Sequence, residues 1–213
     1  SIDEIFAGGG TAEAWINADS GGEGSNGRIA MKGKWIFYLY NQQVLVYNYF
    51  DGTDAAWKTT DNVLTYGKWH HVAVTYNNGA TTNDPIIYID GKQVAITETL
   101  TPTGTRDTDA GENLYIGNQS DDSQTFDGRI AMVRLFSDIR TEAEIRADMF
   151  NAHADMANTG NLVAMYQFDE GTGTTLDNIQ GTAGADGTIT VGSSAWAGAG
   201  TFTYGTSTLV MSG

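Results

Sequence analysis

An aromatic and polar cluster between residues 47 and 57 has the residue types that bind a sugar. Aromatic rings stack on the C–H face of a sugar, while Asp, Asn, Gln or Arg side chains hydrogen-bond its hydroxyl groups. Tyr49 is followed by Asp51 and Asp54, and Trp57 lies among polar residues. Most rings in a chain of this size belong to the core, but these polar neighbours indicate that Trp57 is exposed. We therefore predict a ligand-binding site at Tyr49, Asp51, Asp54 and Trp57.

Two acidic loops supply the oxygen atoms that calcium prefers. Calcium binds about six to eight oxygens from carboxylates, carbonyls and water. The loop at 118–127 carries Asp121, Asp122 and Asp127, and these three residues are the predicted metal site. A second acidic group at 107–112 fails the EF-hand pattern, because its glycine comes one position early and no glutamate closes the loop. The alternative is that both loops are solvated acidic surface.

The adjacent histidines His70 and His71 are not expected to act together. Successive residues of a strand point to opposite faces, so the two rings neither chelate one metal nor form a catalytic pair. We expect one ring to pack in the sandwich and the other to face outward. The chain has no cysteine, which excludes disulfides, thiolate zinc sites and cysteine nucleophiles. We assign no catalytic residue.

Short runs of alternating apolar and polar residues dominate the chain, and this pattern is typical of β-strands with one buried face. Their number predicts a sandwich or a barrel. The dipeptide Asp90-Gly91 separates two such runs and predicts a type I′ hairpin turn, which needs a positive φ at both positions. Thr141 with Glu144 predicts a capping box and a short helix that ends near Asn151.

Length and charge set limits on the function. The 213 residues, 40% of them hydrophobic, are enough for a core, so we expect one domain over residues 1–213. A formal charge of −15 opposes binding to nucleic acid or to an anionic membrane. No apolar run reaches the ~20 residues that cross a bilayer, so we expect no membrane insertion. The start at Ser1 indicates a piece of a longer chain with flanking domains.

Five short motifs follow one another along the chain. They are TAEAWI at 11–16, WHHVAVTY at 69–76, IYIDGK at 87–92, LYIG at 114–117 and FDGRI at 126–130. In order and spacing they resemble the laminin G-like jelly rolls of the concanavalin A-like lectin/glucanase superfamily. The segment at 141–145 is similar to the T-x-x-E-I stretch that follows the last strand of these modules, so the resemblance covers residues 8–151.

The segment from Leu162 onward is similar to the strand that normally opens such a module. It has too few strands to bury a core of its own. We therefore favour the interpretation that a permuted strand within residues 162–213 completes the same sandwich. The alternative is that this segment begins a second module. The region at 171–200, rich in Gly, Thr and Ala, is expected to wrap the surface or to lead toward another domain.

The resemblance implies an all-β fold, a two-sheet antiparallel β-sandwich of jelly-roll type with one short helix. Members of the superfamily bind glycans, proteins or lipids, often with calcium, and some are glycoside hydrolases. The hydrolases place Glu-x-Asp-x-x-Glu on one strand, whereas none of the eight glutamates here has Asp two residues later. Relatives often carry a calcium-binding Asp where this chain has Ala131, which favours the loop of Asp121, Asp122 and Asp127 as the metal site.

These observations predict a non-catalytic function. We interpret the chain as a carbohydrate-binding or adhesion module of a larger extracellular, cell-surface or virion-associated protein. Its expected partner is a surface glycan or glycoprotein, and calcium is its one candidate cofactor. Two alternatives stay open: a packing subunit of a phage tail or capsid, and a glycoside hydrolase whose carboxylates come from different strands. Oligomerisation also stays open.

Overall fold

The computed structural model describes residues 1–156, 160–168 and 175–180, together with the backbone of residues 187–188 and 209–211. Its strands are β1 (Gly10–Ala18), β2 (Arg28–Lys32), β3 (Trp35–Tyr40), β4 (Gln43–Asn48), β5 (Ala55–Thr59), β6 (Trp69–Tyr76), β7 (Ile86–Ile89), β8 (Lys92–Val94), β9 (Ile96–Leu100), β10 (Leu114–Ile116), β11 (Gly128–Phe136), β12 (Leu162–Tyr166), β13 (Thr175–Leu176), β14 (Gly187–Thr188) and β15 (Leu209–Met211). The α-helix is α1 (Glu142–Asp148), and short 3-10 turns lie at Glu23–Ser25 and His153–Asp155.

Two antiparallel sheets carry most of these strands. The first sheet has the order β12-β11-β1-β6-β7-β8, and β15 also pairs with β11. The second sheet has the order β10-β2-β3-β4-β5-β9. Strands β13 and β14 pair only with each other among the described residues. The predicted fold class, an antiparallel β-sandwich with one short helix, is confirmed.

A single large apolar core occupies the space between the sheets. Alternate residues of each strand contribute to it, as the period of a β-strand requires. On β6 these are Val72, Val74 and Tyr76, and on β3 they are Trp35, Phe37 and Leu39. The residues between them therefore point to the outer faces of the sandwich.

The two local elements predicted from sequence are present. Asp90 and Gly91 have φ angles of 53° and 70° between β7 and β8, as a type I′ turn requires. Thr141 and Glu144 form the capping box at the start of α1, which ends at Asp148 rather than near Asn151. Among the described residues, no helix is both long and apolar enough to span a membrane.

A buried ion-pair network stabilises the packing of α1, and of the chain after it, on the outer face of the first sheet. Arg134 on β11 donates to the Glu13 carboxylate at 2.8 Å and to the main-chain oxygens of Asp148 and Asn151 at 3.0 and 2.7 Å. Arg140 forms an ion pair with Asp148 at 2.6 Å. The helix therefore covers part of this outer face.

The buried histidine lies beneath this cover rather than between the sheets. His71 is 1% exposed, and its ring lies 5.4 Å from that of Trp15 on the neighbouring strand. Burial lowers the pKa of His71, against the opposing charge of Glu13, so the ring is neutral at pH 7. His70 instead contacts the Asp90 carboxylate at 2.8 Å. The expectation of a histidine in the sandwich interior is therefore wrong.

The segment after the helix adds a strand to the first sheet. Within 162–213, β12 pairs with β11 and contributes Ala164 and Tyr166 to the core. Most of the region at 171–200, predicted to wrap the surface, lies outside the described residues. The single-domain boundary over residues 1–213 therefore stays a prediction.

Candidate functional site

Tyrosine side chains dominate the outer face of the second sheet, and we call this surface the tyrosine face. Its tyrosines are Tyr38, Tyr40, Tyr47, Tyr49 and Tyr115. They alternate in sequence with residues of the core, so they point away from it. Tyr40 is 43% exposed and the other four are half-buried. This sheet therefore presents aromatic rings to a ligand from its outer side.

Strand register arranges the outward side chains in two lines that run across the sheet. The first line consists of Tyr115, Met31, Ile36, Tyr47 and Ala56. The second line consists of Arg28, Tyr38, Leu45 and Lys58. Neighbouring strands lie about 4.8 Å apart, so the second line spans about 14 Å over three strand spacings. The first line consists of apolar and aromatic groups, whereas the second line has a cation at each end.

Tyr47 and Asp54 provide a polar contact at one end of the face. The Tyr47 hydroxyl donates to one carboxylate oxygen of Asp54 at 2.6 Å, and the other oxygen accepts from the Phe50 amide at 2.9 Å. Burial, together with Asp54, raises the pKa of Tyr47, so its hydroxyl remains a donor. The Tyr49 ring lies 5.1 Å from that of Tyr47. Of the predicted ligand-binding residues, Tyr49 and Asp54 therefore lie together.

Asp51 stabilises the loop at 101–107, which lies beside the tyrosine face. Its carboxylate accepts from the Thr105 amide at 2.7 Å, and its own amide donates to the Thr105 oxygen at 2.9 Å. Gly104 has a φ of +88°, and a Cβ at this position would clash with the Asp51 carboxylate. The contact therefore depends on glycine, and Asp51 holds the loop at 101–107 against the turn that follows Tyr49.

The prediction that Trp57 is exposed is wrong. Its ring is 0% exposed and belongs to the core, on the inward side of β5. The indole nitrogen donates to Asp84 at 3.0 Å, and the ring packs edge-on against Tyr76 at 5.2 Å. Lys58, its polar neighbour in sequence, points to the opposite face. A ligand on the tyrosine face would not touch this ring.

Three cations lie over rings of the tyrosine face, and no local sequence pattern indicates them. They are Arg28 over Tyr38 at 4.9 Å, Lys34 over Tyr49 at 5.6 Å and Lys58 over Tyr40 at 5.8 Å. Cations within about 6 Å of a ring centroid are attracted to the ring. These residues are far apart in the sequence, and the pairing of strands β2 to β5 brings them to one face. A correct prediction of that pairing is therefore what could have identified them.

The predicted calcium ligands are not brought together. Asp121 is held by its own loop, since it accepts from the Ser123 amide at 3.1 Å and the Ser123 hydroxyl at 2.6 Å. These hydrogen bonds lower its pKa. Asp127 accepts from the Ser20 hydroxyl at 2.7 Å. In the part of the chain that the structure describes, no three His, Cys, Asp or Glu side chains are grouped to hold a metal. The structure therefore does not group the carboxylates of Asp121, Asp122 and Asp127, and calcium binding stays a prediction.

The sequence of the sandwich matches a laminin G model described as the concanavalin A-like lectin/glucanases superfamily over residues 3–146. This match covers more than half of the chain. The chain belongs to this superfamily. No curated protein matches the sequence significantly.

Solved structures with a similar fold include two bacterial proteins. A candidate carbohydrate-binding protein from Bacteroides ovatus is 24% identical, with a TM-score of 0.63 over 83% of this chain and 50% of that chain. The CBM40 domain of the Ruminococcus gnavus IT-sialidase, bound to α2,3-sialyllactose, is 14% identical, with a TM-score of 0.50 over 67% of this chain and 83% of that chain. The chain thus spans half the length of the Bacteroides ovatus protein. At these identities the similarity establishes the fold.

A charged clamp fixes the N-terminal segment of this laminin G-like sandwich near the tyrosine face. Glu4 forms an ion pair with Arg106 and accepts from the Thr108 hydroxyl at 2.6 Å and the Asp109 amide at 2.9 Å. Arg106 in turn forms a β-bridge with Phe50, the residue after Tyr49. The hydrogen bond from Arg106 lowers the pKa of Glu4 to about 2.

We expect this clamp to make folding sensitive to acid. The pKa of Glu4 falls from 4.5 to about 2 on folding, so its stabilising contribution is full above about pH 4.5 and disappears as the pH falls toward 2. Glu4→Gln should lower the free energy of unfolding at pH 7 and flatten its decline between pH 4.5 and 2. Urea denaturation at a series of pH values measures both effects. As a control, Glu112→Gln at an exposed position should keep the wild-type dependence of the free energy of unfolding on pH. If Glu4→Gln also kept the wild-type dependence, the role assigned to Glu4 would be contradicted.

Proposed function

We propose that the chain is a non-catalytic carbohydrate-binding module that holds a glycan across the tyrosine face. The observation that carries this proposal is the group of tyrosines on the outer side of the second sheet, with Tyr40 43% exposed. Sugar rings have an apolar C–H face that packs on aromatic rings, and this contact needs no deep pocket. The superfamily match and the carbohydrate-binding proteins of similar fold support the same function.

The polar groups at the face fit the hydroxyl groups of a sugar. The Tyr47–Asp54 pair offers both a hydroxyl group and a carboxylate at the end of one line of side chains. Tyr49 lies next to this pair, with Lys34 over its ring. A glycan lying along the line would thus meet the ring of Tyr115 at one side and the ring and hydrogen-bonding groups of Tyr47 and Asp54 at the other. The buried Met31 and Ile36 lie between them, and a mixture of apolar and polar groups is typical of sugar sites.

The proposal extends to the setting of the module. We propose that it belongs to a larger extracellular, cell-surface or virion-associated protein and carries its flanking domains to a surface glycan or glycoprotein. The similarity to half of the Bacteroides ovatus protein is consistent with a module in a longer chain. The absence of the Glu-x-Asp-x-x-Glu motif supports binding without hydrolysis.

A glycan array tests the binding proposal when wild type is compared with Tyr49→Ala. We expect saturable binding that falls about tenfold or more in Tyr49→Ala, because an aromatic contact contributes on the order of 1 kcal/mol beyond the area it buries. Trp69→Ala is the matched control, since Trp69 is 40% exposed on the first sheet and should leave binding unchanged. Equal loss in both variants would contradict a site on the tyrosine face.

The same array, run in millimolar calcium and in EDTA, tests the remaining calcium expectation. Binding that disappears in EDTA would make the module a calcium-dependent lectin, whereas unchanged binding would remove calcium from the proposal.

Release of reducing sugar from a bound glycan would contradict a non-catalytic role. Absence of binding to every glycan would favour the alternative of a packing subunit.

A further inference from the structure

The tyrosine face carries three cations beside the carboxylates of Asp54 and Asp107, although the whole chain is strongly acidic. The chain has 11 Lys and Arg against 26 Asp and Glu, a formal net charge of −15. Nevertheless, Arg28, Lys34 and Lys58 all lie over rings of this one face. Lys34 also pairs with Asp107 at 3.1 Å. By contrast, no carboxylate of the described residues forms an ion pair with Arg28 or Lys58.

The hydrogen-bond partners of Arg28 are neutral groups, and the Asp121 carboxylate acts on it only through its charge. Its guanidinium donates to the Asn26 main-chain oxygen at 3.2 Å and to the Gln119 side-chain oxygen at 2.8 Å, and it lies 4.9 Å from the centre of the Tyr38 ring. Its Nε is buried and has no hydrogen-bond partner among the described residues. Burial lowers the pKa of Arg28, whereas the nearby Tyr38, Tyr49 and Asp121 raise it, so the charge is only partly compensated. An anionic ligand group would offset the remaining cost of burial.

Lys58 lies at the other end of the same line of side chains. The cross-strand register runs from Arg28 to Tyr38, Leu45 and Lys58, on β2, β3, β4 and β5. Three strand spacings of about 4.8 Å separate the two cations by about 14 Å at the backbone. Between them lie the half-buried ring of Tyr38 and the buried Leu45, so the line presents one aromatic ring with a positive group at each end.

We propose that the tyrosine face selects acidic glycans, with Arg28 and Lys58 binding the carboxylate or sulfate groups of a saccharide that packs on the Tyr38 ring. This inference rests on the proposed function and adds the chemical class of its ligand. A guanidinium binds a carboxylate or sulfate through two parallel hydrogen bonds, and charge-assisted bonds of this kind are stronger than bonds to neutral hydroxyls. The ligand is thus distinguished by its negative charge.

Titration calorimetry with matched pairs of oligosaccharides tests this selectivity. The first pair is an oligogalacturonate and its fully methyl-esterified form, and the second pair is a heparin oligosaccharide and its desulfated form. We expect one acidic form to bind at least about tenfold more tightly than its neutral counterpart. The pair that shows the difference identifies carboxylate or sulfate as the recognised group. The preference should weaken between 50 and 500 mM salt, because salt screens exposed charges.

Charge-removing variants test which residues carry the preference. Arg28→Gln should bring the affinity for the acidic form down to that of the neutral form, and Lys58→Gln should lower it by several-fold. The control Arg129→Gln removes the same charge from an exposed position on the first sheet and should leave both affinities unchanged. Thermal unfolding checks that each variant is folded. If Arg28→Gln does not fold, the affinity of Lys58→Gln for the acidic form tests the charge selectivity.

The outcomes separate this inference from the proposed function. Equal affinity for acidic and neutral forms, with both lost in Tyr49→Ala, would overturn the charge selectivity and keep the carbohydrate-binding function. A charge preference that persists in both Arg28→Gln and Lys58→Gln would also overturn it. Absence of binding to any glycan of the array would overturn both proposals.

Discussion

Arg134→Met is expected to lower the free energy of unfolding by about 3–5 kcal/mol, because it leaves a buried charge without its partner. Arg134 and Glu13 are 1% and 2% exposed and face each other on neighbouring strands. One oxygen of Glu13 accepts from Arg134 at 2.8 Å, while the other has no hydrogen-bond partner among the described residues. Removing the guanidinium would also leave the main-chain oxygens of Asp148 and Asn151 without this donor.

Two further variants separate the loss of the ion pair from the loss of packing. Glu13→Gln combined with Arg134→Met removes both charges, so the double variant should be more stable than Arg134→Met alone. Arg129→Met, an exposed position on the same strand, should change the free energy of unfolding by no more than about 0.5 kcal/mol. Urea denaturation measures all three. A loss in Arg134→Met as small as that in Arg129→Met would contradict the role of the pair.

Short-range signals in the sequence predicted the elements that depend on neighbouring residues. The hairpin at Asp90-Gly91 and the cap at Thr141 form as expected, since each requires only a few consecutive residues. Alternation likewise predicted strands, and their number predicted the sandwich. The fold was therefore predictable, because local chemistry and the hydrophobic pattern agree along most of the chain.

The site was less predictable, because it depends on contacts between distant parts of the chain. Arg28 and Lys58 share one line only through the register of four strands. Asp121 has the residue type of a calcium ligand, but serine donors of its own loop already bind its carboxylate. Tyr49 and Asp54 were found because they are five residues apart in one turn region. Residue type thus indicated the chemistry, whereas tertiary contacts decided which groups are free for a ligand.

Trp57 illustrates why neighbours in sequence mislead about exposure. Lys58 and Thr60 are polar, and this composition favoured an exposed ring. Strand alternation sends Lys58 to the outer face and Trp57 into the core. The polar indole nitrogen tolerates burial because Asp84, from a loop that precedes β7, accepts its hydrogen bond at 3.0 Å. This partner is 27 residues away in sequence, so local composition could not indicate it.

Trp57→Ala is accordingly expected to act on stability rather than on recognition. The ring is 0% exposed, and large-to-small substitutions of a buried aromatic residue cost about 3–5 kcal/mol. The variant should unfold at a lower urea concentration and leave Asp84 without its donor. Trp57→Phe keeps a ring against Tyr76 and should remain folded, with a smaller loss of stability and wild-type affinity for the glycan. Titration of the bound glycan after a folding check measures both properties. If Trp57→Phe weakened binding as strongly as Tyr49→Ala while its stability stayed at the wild-type level, the ligand would have to reach the core side of β5, and the site would not be the tyrosine face.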